Sequence, residues 1–253
     1  MRICGTFLCL AAFVLGISGL PHADVFLWRL PAIAPALYDG STDECASVRD
    51  TAIAVRMKTA LGADGFPQDV AWESAVPVRF CSDWQGKNAD IQRATEVRLL
   101  WSRAALFLRF QSKYRDLYTF SDQDTRHDQL WTRDVAEVFI QPNYESGHTY
   151  KEIEVSPNGD WLDLALTNGS RADLNCKMKT RAEINAKEKI WIAESVIPTQ
   201  CLAQEFDPSS NWRVNFFRVE AAEPNRFYST WHPTMSSKPN FHVPEVFGTL
   251  HFQ

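Results

Sequence analysis

The residues that could do chemistry lie in segments that are otherwise apolar. In DVAEVFIQP (134–142), two-residue alternation puts Val135, Glu137 and Phe139 on one face. In YKEIEVSP (150–157), Glu152 and Glu154 share a face, with Ile153 and Val155 opposite. In WRVNFFRVE (212–220), Val214, Phe216, Arg218 and Glu220 share a face. Three strands can therefore present Glu137, Glu154 and Arg218 from apolar surroundings. As solvated surface ion pairs such groups contribute little. Gathered in one concavity they read hydroxyls, because carboxylates accept and guanidinium groups donate in bidentate fashion. Sugars carry paired hydroxyls and pack their C–H faces on aromatic rings, so a sugar site also needs flat aromatics at its walls. Trp131 in DQLWTRD and Trp231 in YSTWHPT stand in polar, loop-like contexts that suit that role. Trp72, Trp101, Trp161, Trp191 and Trp212 sit within or beside apolar runs and read as core, and Trp84 fits either place. Paired carboxylates also do glycoside hydrolysis, for which Glu137 with Glu154 or Asp134 would be the candidates.

Short strands must position these groups. TEVRLLW (95–101) and ALFLRFQS (105–112) read as a hairpin. The two acidic strands follow, and Pro157-Asn158-Gly159 is a turn signal between YKEIEVSP and WLDLAL (161–166). KMKTRAEI (177–184), IWIAESVIP (190–198), WRVNFFRVE and FGTLHF (247–252) complete the set. Turn-separated runs rich in β-branched and aromatic residues predict an all-β fold: a β-sandwich of two mainly antiparallel sheets with at most short helices. One short helix is expected over 46–61. No internal repeat or low-complexity stretch is present in the sequence.

Arg2, an apolar run from Ile3 to Leu20 and Ala23 before Asp24 predict a secretory signal peptide over residues 1–23, with no stable membrane insertion after its removal. Residues 24–50, with Pro31, Pro35 and Gly40, read as an irregular N-terminal extension, and 51–253 as the domain. An exported chain, periplasmic or extracellular, keeps disulfides. The four cysteines left, Cys45, Cys81, Cys176 and Cys201, allow three connectivities, and closure of local loops favours Cys45–Cys81 and Cys176–Cys201. Lys and Arg total 26 against 31 Asp and Glu, a net charge of −5, which argues against a nucleic-acid partner.

Taken in order, DGFPQDVAWESA (64–75), EVRLLWSRAALFLRF (96–110), LWTRDVAEVFIQP (130–142), YKEIEVSPNGDWLD (150–163), NWRVNFFRVE (211–220) and the closing FYSTWHPT and PNFHVPEVFGTLHF (227–252) resemble the family 9 carbohydrate-binding modules, related to the wider DOMON group. The resemblance covers most of residues 55–253. It implies a non-catalytic sandwich in which two tryptophans, here Trp131 and Trp231, hold a mono- or oligosaccharide or a polysaccharide end. Glu137, Arg218 and Asn215 would bind its hydroxyls. The strand YKEIEV departs from the family pattern: it carries Glu154 where the prototype has an Arg, exchanging a donor for an acceptor. Structural calcium is also implied, without an assigned ligand set. Some DOMON relatives bind haem, for which Met178, Met235, His148, His232 and His242 are the available ligand types, and the chain has no CxxCH motif.

Overall fold

The computed structural model describes residues 45, 50–142 and 147–253. The segment expected to be a signal peptide (1–23), and nearly all of the extension over 24–50, lie outside the described residues. The described chain is a β-sandwich of thirteen strands: β1 (Thr51–Arg56), β2 (Val78–Phe80), β3 (Thr95–Trp101), β4 (Ala105–Lys113), β5 (Val135–Pro142), β6 (Thr149–Val155), β7 (Trp161–Thr167), β8 (Ser170–Asp173), β9 (Lys179–Asn185), β10 (Ile190–Pro198), β11 (Trp212–Glu220), β12 (Phe227–Thr230) and β13 (Gly248–Phe252). Two four-residue helices, α1 (Asp69–Trp72) and α2 (Thr199–Leu202), accompany them.

The hydrogen-bonded path runs β8-β7-β6-β5-β11-β13-β1-β3-β4-β10-β9, with β12 beside β11 and β2 beside β3. The path curls so that β6 and β10, far apart along it, meet across the interior. One layer turns Ala136, Val138, Ile140, Ile153, Val155, Val214 and Phe216 inward; the other contributes Val97, Leu99, Leu106, Leu108, Phe110 and Trp191. These alternate positions all lie within 2 % of complete burial. Burying a side chain of this size is worth about 1.5–3 kcal/mol, so this core dominates the fold's stability.

Pairing is antiparallel except at β1, which runs parallel to both β13 and β3. Here the helix expected over 46–61 gives way to a strand from residue 51. Ala52 and Ala54 are fully buried between two neighbouring strands, while Thr51, Ile53 and Val55 stay partly exposed. Small residues on the buried face let the layers close over β1, and the β-branched residues between them favour extension. A close approach also fixes Gly248: a Cβ there would lie 2.5 Å from His232 Nε2 and 2.8 Å from the Asp50 carbonyl. The turn at Pro157-Asn158-Gly159 joins β6 to β7, with Gly159 at φ +87°, a conformation that favours glycine.

Both expected disulfides form. Cys45–Cys81 has a Cα–Cα distance of 4.9 Å and Cys176–Cys201 one of 5.5 Å. The second ties the segment before β9 to α2 and packs in the main core. Trp72, Trp101, Trp191 and Trp212 are buried as expected, and Trp161 packs partly buried against the main core.

Candidate functional site

The outer face of β5-β6-β7-β11 carries a second apolar cluster. Val135, Phe139, Tyr150, Leu162, Leu164, Phe217 and Val219 form it, and Phe241 and Phe247 cover it from the segment before β13. Register decides what joins them. Glu137 on β5 lies directly opposite Glu154 on β6, and Phe139 opposite Glu152. The three glutamates therefore form one patch on this face. Each is at most 2 % exposed, and one carboxylate oxygen from each lies within 4.8 Å of the others.

A cavity of about 690 Å³ opens over the patch. Glu137 and Glu152 line its floor, with Trp131, Tyr228, Phe241, His242, Arg171 and Arg226 among its walls. A short 3-10 turn, Leu130–Thr132, presents Trp131: Leu130 is fully buried and anchors the turn. Gln129, at φ 61°, bends the chain into it. Arg226 clamps the turn from below, donating to the Trp131 carbonyl and to the Thr132 carbonyl at 3.1 Å. Asp134 sets the opposite lip: its Oδ1 accepts from Ala221 N at 2.6 Å and holds that residue at φ 66°. The neighbouring Ala222 and Glu223 then face the cavity.

Arg171 reaches in from the β7–β8 hairpin. Its guanidinium lies 4.6 Å over the Trp131 ring, and its Nη2 is 3.0 Å from His242 Nε2. A guanidinium only donates, so His242 Nε2 accepts and the imidazole is neutral. Its Nδ1–H then donates to the Tyr150 hydroxyl at 2.8 Å. The electrostatics agree: burial, aided by the Arg171 charge, lowers the His242 pKa to about 4. Burial raises Glu137 and Glu154 well above the usual carboxylate range. The charges of neighbouring glutamates push in the same direction and Arg171 pulls back. Burial likewise raises Glu152.

Of the residues expected to form a sugar site, the structure brings Trp131 and Glu137 to one cavity, and places Glu154 beside Glu137 but fully buried and outside the cavity lining. The other three stand apart. Arg218 is 1 % exposed and faces the sandwich interior, the opposite side of the sheet from Glu137. Phe217 pairs with Glu137 in register, so Arg218, one residue on, must point the other way. There it bonds Glu220 at 3.0 Å and the Arg93 carbonyl at 3.2 Å, and lies 5.4 Å over the Trp191 ring. Asn215 is spent on the backbone: Nδ2 donates to the His232 carbonyl at 2.9 Å and Oδ1 accepts from His232 N at 3.0 Å. Trp231 is 7 % exposed and packs in the main core, 5.5 Å from Phe216. The two tryptophans thus do not face one another across the cavity. Tyr228 and Phe241 supply its other aromatic walls.

The residues missed are Glu152, Arg171, Arg226, Tyr228, Phe241 and His242. Glu152 had a signal, since it shares a face with Glu154. Arg171 had none, because a polar hairpin residue reveals nothing about where its side chain reaches.

The other chemistries find less support in the arrangement. Glu137 and Glu154 are cross-strand neighbours on one wall, not an acid and a base facing each other across a scissile bond. Asp134 is bonded to the Ala221 backbone. Among the haem-ligand candidates, Met178 is buried in the main core and Met235 is 65 % exposed. His148 lies 3.5 Å from Glu245, and His242 is engaged at both nitrogens. His232 lies against Trp231.

Calcium can be tested against the donor sets present. Two groups of described side chains each bring three ligand atoms within 4.8 Å: Glu137, Glu152 and Glu154, and separately Asp122, His127 and Asp160. The first offers only oxygen, which suits a hard cation; the second includes an imidazole nitrogen.

Comparison with known proteins places the chain. The model of carbohydrate-binding family 9 matches residues 80–252. An extracellular protein from the fungus Arthroderma benhamiae is 26 % identical over 178 residues, covering 62 % of this chain and 78 % of that protein. A candidate carbohydrate-binding protein from Bacteroides uniformis superposes with a TM-score of 0.64 at 15 % identity, over 80 % of this chain and 99 % of that one. A family 9 module from Caldicellulosiruptor kristjanssonii, solved with cellotriose, superposes with a TM-score of 0.55 at 14 % identity, over 80 % of this chain and 93 % of the module. The family match spans well over half of the sequence, and the fold agrees: the chain belongs to carbohydrate-binding family 9, a family of non-catalytic binding modules.

Proposed function

We propose that this chain is an exported, non-catalytic protein that binds a saccharide in the cavity above Glu137 and Glu152. The observation that carries the reading is the pairing of a carboxyl floor with the aromatic walls Trp131, Tyr228 and Phe241 in one cavity of a family 9 chain. A pyranose packs a C–H face on Trp131. Its hydroxyls meet acceptors at Glu137 and Glu152 and a donor at Arg171, which takes the part once expected of Arg218. Glucose and cellotriose, the ligands of the Caldicellulosiruptor module, are the first sugars to try. Export is supported by two disulfides and by the extracellular fungal relative.

Calorimetric titration of mono- and oligosaccharides into the folded chain tests the reading. Trp131→Ala should weaken binding by about 1–3 kcal/mol through loss of aromatic contact. A sugar affinity untouched by Trp131→Ala would remove the cavity as the site.

A further inference from the structure

Three buried carboxyls in mutual reach hold more acceptor capacity than hydroxyl recognition needs. Among the described residues, Glu152 Oε2 and both oxygens of Glu154 are buried with no donor to accept from while ionised, although Glu152 and Glu154 are close enough to share a proton. Glu154 itself is 0 % exposed and points into the group. Ionised carboxylates only accept, so they cannot satisfy one another. Leaving them charged and unpaired away from water would cost several kcal/mol. Arg171 does not relieve this by direct bonding, since its contacts are the Trp131 ring and His242 Nε2. Either protons or a cation must neutralise the floor.

We propose that Glu137, Glu152 and Glu154 form a binding site for a hard divalent cation of the calcium type, with the ion's cavity side left open to paired hydroxyls of the bound sugar. The donor set selects the ion. It is all oxygen and contains three carboxylates, each able to chelate, as calcium's six to eight oxygen ligands at flexible angles require. Magnesium demands near-octahedral geometry at short distances, which three carboxylates fixed by strand register serve poorly. Two adjacent strands in fixed register hold the ligands, so the site is built by the sheet and not by a loop. The Asp122–His127–Asp160 group is the weaker candidate. His127 Nε2 lies 3.1 Å from Asp122 Oδ2, and an ordinary ion pair accounts for it. The hydroxyl ligation rests on the carbohydrate reading above, whereas the cation site does not.

The test uses the full exported chain, stripped with a chelator and titrated calorimetrically with calcium chloride, alongside thermal melts with and without the ion. One calcium per chain should bind and raise the melting midpoint. Glu154→Gln, which keeps shape and removes charge, should lose at least about tenfold in calcium affinity, as should Glu152→Gln as an independent check on folding. Asp160→Asn should leave it unchanged. Failure of the folded wild-type chain to take up calcium would overturn the site, as would loss of binding in Asp160→Asn with retention in Glu154→Gln. Glucose titrations run in calcium and in chelator separate the two ideas. Calcium uptake lost in Glu154→Gln, with no sugar bound in either condition, would uphold the cation site and sink the carbohydrate reading. Sugar affinity equal in both conditions would refute hydroxyl ligation by the ion.

Discussion

Replacing Arg218 by Met separates its scaffold role from a role in binding. The side chain is 1 % exposed, and so is its partner Glu220, 3.0 Å away. Arg218 also donates to the Arg93 carbonyl at 3.2 Å and to the Lys113 carbonyl at 2.5 Å. Met preserves most of the packing against Trp191 but removes the charge and both donors. Breaking a buried pair from one side costs about 3–5 kcal/mol, and the two carbonyls that lose a donor are part of that same cost. Glu220 keeps Arg93 at 3.5 Å and the Arg115 amide at 2.8 Å, which favours the lower half of the range. At roughly 2–4 °C per kcal/mol for a domain of this size, the melting midpoint should fall by about 6–16 °C. Calorimetric unfolding reads the midpoint, and a sugar titration well below it should return wild-type affinity. An unchanged midpoint with lost sugar affinity would show that Arg218 serves the ligand and that the inward placement is wrong.

Trp231→Ala should behave as a core truncation, destabilising by about 3–5 kcal/mol with no selective loss of sugar affinity in the folded fraction, seen by paired melts and titrations. Asp134 gives a pH signature. Burial raises its carboxyl to about 7 from 3.8, so the folded state holds a proton that the unfolded state releases. Its stabilising contribution is complete below pH 3.8 and is lost as pH rises through 7. Against Asp134→Asn, wild type should lose about 4 kcal/mol of relative stability across that window in denaturant titrations, and a flat difference would refute the shift. Reducing Cys176–Cys201 by paired Ser substitution reopens a 25-residue separation and should cost about 3–4 kcal/mol, read from urea midpoints.

Most strands were legible because two-residue alternation is strong wherever one face is buried, as in β3, β5 and β11. β1 was not, because Ala52 and Ala54 carry no apolar signal even though they lie at the centre of the sheet. The short strands β2, β8 and β12 hold too few residues to show a period. Glu137 and Glu154 could be picked out as polar interruptions. Arg218 looked equivalent, since alternation within one strand fixes which residues share a face but not which face that is. The register Phe217 to Glu137 settles it, and register is a property of strand pairs. Trp231 misled for a related reason. Its polar neighbours Thr230 and His232 suggested solvent, yet they are bonded inward to one another and to Asn215. Phe241 and His242 belong to the closing motif, but only the chain's return over β11 reveals that they wall a cavity.

The position of β13 bears on how this molecule reaches its folded state. It lies between β11 and β1, and the described strand nearest the C-terminus is thus the seam between the layers. Until residues 248–252 arrive, β11 and β1 each present an open row of amides and carbonyls, and pairing of residue 51 with residue 249 closes a loop nearly as long as the domain. Such a chain gains little by folding from its N-terminal end as it is made. Folding should be slow and should wait until residues 248–252 have been made. A polypeptide of this topology stays loose until β13 is made and closes the open rows of β11 and β1.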